Sequence, residues 1–154
     1  MSKYAANTSV SSEKSRAEIE RTLRRYGADQ FAYATSAERA MIGFQANGRR
    51  VRFDLDMPDR NSAEITRTPT QNRRRSSEQI DAAWEQACRQ RWRALALCVK
   101  AKLEAVESDI TTFDAEFMAH IVLPNGRTVG DTTLPAIAKS YETGTMPRLL
   151  EDLS

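Results

Sequence analysis

The chain of 154 residues has a formal net charge of +2, with 40% hydrophobic and 29% charged residues, an ordinary composition for a globular domain in water. Its length suits one domain with a sizeable core. No apolar run approaches the roughly 20 residues that span a bilayer. The first residues, MSKYAANTSV, lack the apolar stretch of a signal peptide. These features exclude a membrane-spanning helix and predict a cytoplasmic protein.

Positive charge is concentrated in the middle of the chain. Residues 60–100 contain nine basic and four acidic residues, whereas residues 101–154 contain four basic and nine acidic ones. A basic segment of this kind favours an anionic partner such as nucleic acid. The acidic segment can instead neutralise the basic one within the molecule, or bind a basic protein. Composition leaves these alternatives open.

The first predicted elements are a disordered segment and a helix. Residues 1–10 are polar, small and without period, so we expect them to be disordered and the folded domain to comprise residues 11–154. Ser11 or Ser12 can cap the helix, and Gly27 fits its C-terminal end. Apolar positions at helical spacing mark its buried side; they are Ile19, Leu23 and Tyr26.

A β-hairpin is the clearest pattern, in the stretch AMIGFQANGRRVRFDLDMP. Asn47-Gly48 is the favoured dipeptide for a type I′ turn. With that turn, six apolar side chains share one face: Phe44 opposite Val51, Ile42 opposite Phe53 and Ala40 opposite Leu55. The polar residues between them share the other face, which predicts two strands with one wet side. The preceding QFAYAT predicts a third strand, with Phe31 and Tyr33 directed to the core.

A long basic loop, residues 58–76, leads to the longest predicted helix. Ser76 or Ser77 caps that helix, which we expect to cover residues 77–108. Its apolar stripe has steps of three and four and includes two tryptophans expected to be buried; the stripe is Trp84, Cys88, Trp92, Leu95, Val99, Leu103 and Val106. Cys88 and Cys98 lie about 15 Å apart on such a helix, too far for a disulfide, and are expected to be buried thiols.

The C-terminal segment, residues 112–154, is predicted to be a smaller appendage. TTFDAEFMAHIVL opens as a capped helix or an irregular segment, and HIVLPNGRTVG predicts a second hairpin with its turn at Asn125-Gly126. LPAIAKSY predicts a short helix ending at Gly144. The predicted fold class is therefore α+β with two layers: a helix, a three-stranded antiparallel meander and a long helix, followed by a small hairpin and a short helix.

Residues for catalysis are scarce. His120 is the single histidine and has no partner at a spacing typical of a metal site or catalytic triad, so we interpret it as structural or surface-exposed. Asp54 and Asp56 share a strand face about 6.5 Å apart, as carboxylates of metal-dependent nucleases can. A charge ladder with Arg50 and Arg52 is the favoured interpretation. No catalytic residue, metal ligand or cofactor is predicted, and the protein is expected not to be an enzyme.

Arginines around the start of the long helix suggest phosphate binding. A helix N-terminus attracts phosphate through its free N–H groups and dipole, and arginines before it and along the helix can hold a phosphate backbone. The predicted nucleic-acid-binding residues are Arg60, Arg67, Arg73, Arg74, Arg75, Arg89, Arg93 and Lys100. The competing interpretation is a solubilising loop and a wet helix face.

Two resemblances follow from these patterns. The order of helix, meander and helix, with basic residues at the second helix, is similar to the double-stranded RNA-binding domain, which implies recognition of A-form shape. Here the loop is longer, its basic residues are arginines, and the helix is about twice the usual length. The runs WEQACRQRWRALALCVKAKLEAVE and HIVLPNGRTVG resemble small bacteriophage and prophage proteins, which implies a bacterial cytoplasm and a role in phage DNA metabolism or against host defence.

Two functions are therefore expected. The first is a non-enzymatic nucleic-acid-binding accessory protein with DNA or RNA as its partner, acting in phage replication or recombination. The alternative is a phage-encoded inhibitor of a host nuclease or defence complex, which would use its acidic C-terminal segment or another surface. A homo-oligomer is compatible with either function.

Overall fold

A computed structural model describes residues 5–146. Its elements, in chain order, are α1 (Ser12–Arg25), β1 (Gln30–Thr35), β2 (Arg39–Ala46), β3 (Arg49–Asp56), α2 (Ala63–Thr66), α3 (Ser77–Glu107), α4 (Phe113–Phe117), a 3-10 turn (Met118–His120) and α5 (Val129–Thr143). The predicted α+β fold is confirmed. None of the helices within residues 5–146 combines the length and apolarity needed to cross a membrane.

The three strands form an antiparallel meander in the order β1-β2-β3. Asn47 and Gly48 both have positive φ, 51° and 71°, as a type I′ turn requires. Phe44 pairs with Val51 and Ile42 with Phe53, so the predicted register is confirmed. The alternation of apolar and polar side chains directs one face of the sheet to the core.

Helices α1 and α3 pack together over the apolar face of the sheet. Both begin with the predicted serine caps: the Ser11 side chain accepts from the Lys14 N–H, and Ser76 forms a capping box with Gln79. The core side chains come from both helices, the sheet and α4; among them are Ile19, Leu23, Ile42, Phe44, Val51, Trp92, Val99 and Phe117. Burial of this shared face holds the two layers together.

Two side chains expected in the core lie at the surface. Tyr33 is 52% exposed; it lies on the edge strand β1, and the Arg16 guanidinium of α1 lies over its ring, 5.1 Å from the centroid. Cys98 is exposed, whereas Cys88 is buried. Ten residues leave Cys98 about 80° from Cys88 around the helix axis at 3.6 residues per turn, which places it off the buried stripe.

Residues 5–10 have no helix or strand, yet they lie against α3. Ala5 is buried, and the carbonyl groups of Ala6 and Thr8 accept hydrogen bonds from the side chains of Gln86 and Gln90. Residues 1–4, the rest of the predicted disordered segment, are outside the described residues. Polar side chains on the outer surface of α3 thus position residues 5–10, although the sequence of this segment has no helical or strand periodicity.

The C-terminal appendage differs in detail from the prediction. Its turn joins Leu123 and Gly126, and a single bridge between Val122 and Thr128 replaces a longer hairpin. Thr128 and Asp131 form a capping box, so α5 starts inside the stretch predicted as the second strand. The signature T-V-G-D of such a box is present in the sequence. The predicted end at Gly144 is confirmed, with φ +68°.

Candidate nucleic-acid interface

The basic loop before α3 is a folded unit. Ile65 of α2 is buried and fixes the loop to the core. Arg67 and Arg74 pair in an antiparallel bridge. The Thr68 N–H donates to the Arg73 carbonyl at 2.9 Å, and the Arg75 N–H donates to the Thr66 carbonyl at 2.8 Å. The arginine run therefore has a defined backbone position beside the first turn of α3.

Arg75 anchors this loop. Its Nη1 donates to the Ile65 carbonyl at 3.0 Å and to the Glu64 carbonyl at 3.3 Å. These carbonyl groups belong to the short helix α2. They accept no hydrogen bond from an N–H group of that helix, because the last carbonyl groups of a helix have no partner within it. Arg75 thus stabilises the loop while its charge remains beside α3.

Three arginines converge on a cleft of about 330 Å³ at the start of α3. The cleft is lined by Arg60, Asn61, Thr66, Arg74, Arg75, Ser77 and Ile80. The capping box uses the N–H groups of Ser76 and Gln79. Within residues 5–146, no acceptor bonds the N–H groups of Ser77 and Glu78. The cleft therefore brings guanidinium groups beside the first turn of α3, where backbone N–H groups are free, and both kinds of donor suit an oxyanion.

Arg67 and Arg74 place like charges directly opposite each other. Residues opposite one another in an antiparallel pair project to the same side, and like charges in such a pair are destabilising. Arg67 Nη1 donates to the Asn72 carbonyl at 3.0 Å, which holds its guanidinium near the bridge. Both side chains are exposed, as is that of Arg73. A bound anion between these groups would remove the repulsion.

Arg60 reaches the cleft from the other side of the loop. It forms an ion pair with Asp81 of α3, and its guanidinium lies 5.8 Å from the Trp84 ring centroid. The Trp84 indole N–H donates to the Pro58 carbonyl at 2.8 Å. These contacts fix the start of the loop to α3, and they partly neutralise Arg60.

The other predicted residues lie away from the cleft. Arg93 is paired with Glu18 of α1, and Arg89 donates two hydrogen bonds to Gln86. Lys100 is exposed. At 1.5 Å per residue, Arg89 is about 18 Å along α3 from Ser77. The predicted continuous basic face on α3 is therefore interrupted, because α1 packs beside it and supplies a carboxylate. Sequence reasoning missed the polar lining residues Asn61 and Thr66, for which no local signal exists.

The acidic C-terminal segment does not neutralise the cleft within residues 5–146. Asp114 pairs with Arg49 at 2.9 Å, and Asp131 pairs with Arg52 at 3.4 Å. Both arginines belong to β3 and not to the basic segment 60–100. The basic middle thus keeps its excess charge at the exposed arginines of the loop.

Residues considered for enzymatic chemistry have structural partners. Asp54 accepts from Arg52 Nε at 2.9 Å, and Asp56 lies 3.7 Å from Arg39 Nε. His120 stacks on Phe53, with ring centroids 4.0 Å apart. In the part of the chain that the structure describes, no group of three or more His, Cys, Asp or Glu residues could hold a metal ion.

Comparisons of the chain with protein-family models, curated proteins and solved structures found no significant match.

Proposed function

We propose that the protein is a non-enzymatic nucleic-acid-binding protein that holds the phosphate backbone at the arginine cleft beside α3. The observation that carries this proposal is the convergence of Arg60, Arg74 and Arg75 on one cleft beside Ser77, in the first turn of a 31-residue helix. Planar guanidinium groups can engage phosphate oxygens in a bidentate way. By its resemblance to phage proteins, the binding would serve phage DNA replication or recombination.

The mode of binding follows from the chemistry of the cleft. The charged side chains that line it are all arginines, which only donate hydrogen bonds, and its other polar side chains are hydroxyls and one amide. Among the described residues, no aromatic ring lines the cleft. Phosphate contacts of this kind position a duplex or a single strand without reading its bases. We therefore expect affinity to vary little with sequence and to fall steeply with salt, because bound phosphates release their counterions.

The test uses the two exposed arginines that do not anchor the loop. We expect Arg73→Ser/Arg74→Ser to leave the melting temperature unchanged and to weaken binding of both DNA and RNA. The slope of log affinity against log salt should become shallower by about one unit for each lost phosphate contact. Fluorescence anisotropy with labelled duplexes and single strands, titrated at several salt concentrations, measures the slope.

The matched control is Arg21→Ser/Arg25→Ser, which removes the same charge from exposed positions on α1. This control should weaken nucleic-acid affinity only through the change in net charge, and by less than Arg73→Ser/Arg74→Ser does. Equal losses in the two variants, or no binding by the wild-type protein at low salt, would overturn the proposal. Arg75 is left intact because its hydrogen bonds to α2 would confound binding with folding.

A second function, a phage-encoded inhibitor of a host nuclease or defence complex, is favoured by one observation. Leu134, Ile137 and Tyr141 follow helical spacing on α5, and all three are exposed, Tyr141 by 88%. Exposed apolar groups on one helix face are typical of protein-binding surfaces. Two acidic residues of the same segment, Asp114 and Asp131, are paired with arginines of β3, so their charge is less available to a basic partner.

A pull-down from bacterial lysate, repeated after nuclease digestion, distinguishes this alternative. A partner that persists after digestion and is lost with Leu134→Ser/Tyr141→Ser would support it. Retention of the same partner by that variant would contradict it. A partner released by nuclease would instead agree with nucleic-acid binding.

A further inference from the structure

One edge of the sheet is covered by another segment of the chain, and the other edge is not paired with a strand in the described part of the chain. At the β3 edge, Ile121 forms a bridge with Val51, and the Val122 N–H donates to the Arg50 carbonyl at 2.8 Å. The C-terminal segment therefore covers that edge. At the β1 edge, no strand within residues 5–146 pairs with the outer side of β1.

The register shows which backbone groups of β1 point outward. The Ser36 N–H donates to the Arg39 carbonyl at 2.7 Å, so this is a hydrogen-bonded pair. Such pairs alternate along an antiparallel ladder, which turns Ala34 and Ala32 towards β2. The outward groups are then the N–H and C=O of Phe31, Tyr33 and Thr35. Within the described residues, none of their N–H groups has an acceptor.

This open edge lacks the features that usually prevent strand addition. Native sheets protect an edge with charged side chains, proline, a bulge or a covering segment. The strand QFAYAT has no charge and no proline, and it pairs with β2 without a break in register. Ala32, Tyr33, Ala34 and Thr35 are all exposed. An edge of this kind is a ready template for another strand.

We propose that two copies of this chain associate through β1, antiparallel, about a two-fold axis at Tyr33. The outward residues Phe31, Tyr33 and Thr35 are symmetric about that centre. Tyr33 would bond Tyr33 of the second copy, and Phe31 would bond Thr35 of the second copy. All six outward groups are then satisfied, and two three-stranded sheets become one of six strands. A two-fold interface requires such self-complementarity.

The side chains agree with this pairing on both faces of the sheet. On the helix side, the two Tyr33 rings become neighbours, each against its own Arg16, whose guanidinium also lies 5.1 Å from the Trp92 ring centroid. On the other side, Ala32 of one copy faces Ala34 of the other. These small, uncharged residues introduce neither like-charge repulsion nor steric conflict. The association is independent of nucleic-acid binding.

The Ala32 and Ala34 positions allow a charge-swap test by sedimentation velocity. We expect the wild-type protein to show a concentration-dependent dimer. Ala32→Lys/Ala34→Lys places two like-charged pairs across the axis and should weaken dimerisation by about tenfold or more. Ala32→Lys/Ala34→Glu has the same number of substitutions, but it places each lysine opposite a glutamate of the second copy. This variant should therefore retain the dimer.

Hydrogen exchange gives a second readout that does not depend on the variants folding equally well. In the wild-type dimer, the amides of Phe31, Tyr33 and Thr35 should be protected, and dilution to the monomer should expose them selectively. A wild-type protein that is monomeric at every concentration overturns the proposal. So does a dimer that Ala32→Lys/Ala34→Lys leaves intact, or one in which these three amides exchange freely.

Discussion

Individual side chains are positioned by neighbours from distant parts of the sequence, and His120 shows the chemical effect. It is half-buried and stacks on Phe53 of the sheet. Burial lowers the pKa of His120 below its ordinary value, and the Lys102 ammonium lowers it further. A hydrogen bond with the Arg52 backbone and the Asp54 carboxylate act in the opposite direction. The imidazole therefore favours its neutral form in the folded protein.

This environment predicts a pH dependence of stability. Above pH 6.5, the ordinary pKa, the imidazole is neutral in both states and the folded state has no disadvantage. As the pH falls from 6.5 through the lower folded pKa, the unfolded state binds the proton before the folded state does, so stability is lost across this window. His120→Phe keeps a stacking ring and removes the titration. Urea unfolding at about pH 7.5 and about pH 5 should show a smaller loss in the variant.

The same loss in both proteins would assign the pH dependence to other groups. Since His120 is the only histidine, its NMR titration provides an independent check of the direction of the pKa shift. A folded pKa above the ordinary value would contradict the prediction.

At the scale of elements, α5 is attached mainly by its first turn. Gly130 is its one buried residue, and a Cβ at this position would lie 2.8 Å from the Ala119 carbonyl oxygen. The next turns carry Leu134 and Tyr141 into solvent. Because Pro135 has no N–H, the Asp131 carbonyl lacks its helical donor, and Arg127 Nη2 donates to it at 2.8 Å instead.

Gly130→Ala should detach α5 from the 3-10 turn. The new methyl group meets backbone that cannot rotate away, at an expected cost of about 1–3 kcal/mol. Gly43→Ala is the matched control, since its Cβ would come no closer than 3.8 Å to the Val51 carbonyl oxygen. Hydrogen exchange should show α5 amides losing protection in Gly130→Ala alone. Equal protection in both variants would mean that the close approach at Gly130 is not needed.

At the scale of the molecule, α1, α3 and the sheet share one core with Trp92 near its centre. Trp92 is 2% exposed, and it also carries Arg16 on its ring. Trp84, on the same stripe, is half-buried at the rim, where its indole N–H bonds the Pro58 carbonyl. The two tryptophans therefore contribute to stability through different interactions.

Trp92→Ala should cost about 3–5 kcal/mol because it leaves a large cavity between the layers. Trp84→Phe should cost about 1 kcal/mol, mainly from the lost hydrogen bond. Guanidinium unfolding followed by circular dichroism and fluorescence gives both values, and the two probes should share one midpoint because the core is shared. Similar costs for the two variants would contradict the difference in burial.

Elements whose signals are local could be predicted from the amino-acid sequence. Asn47-Gly48 selects a turn type, and the alternation around it admits only one register, since a shift of one residue would expose every apolar side chain. The period of the α3 stripe and the caps at Ser11 and Ser76 likewise depend on residues a few positions apart. The arginine loop was also recognisable, because three consecutive charges precede a capped helix.

Which of these arginines are available depends on how the chain packs in three dimensions. Arg93 is neutralised by Glu18, 75 residues earlier in the chain, while Arg75 turns back to hold α2. The unpaired outer edge of β1 and the exposure of Tyr33 likewise depend on where other elements end. Periodicity reports which side of a helix or strand is apolar, but it carries no information on which distant element packs there. Ion pairs, cleft linings and free edges arise from that packing, so they appear only when the chain is folded.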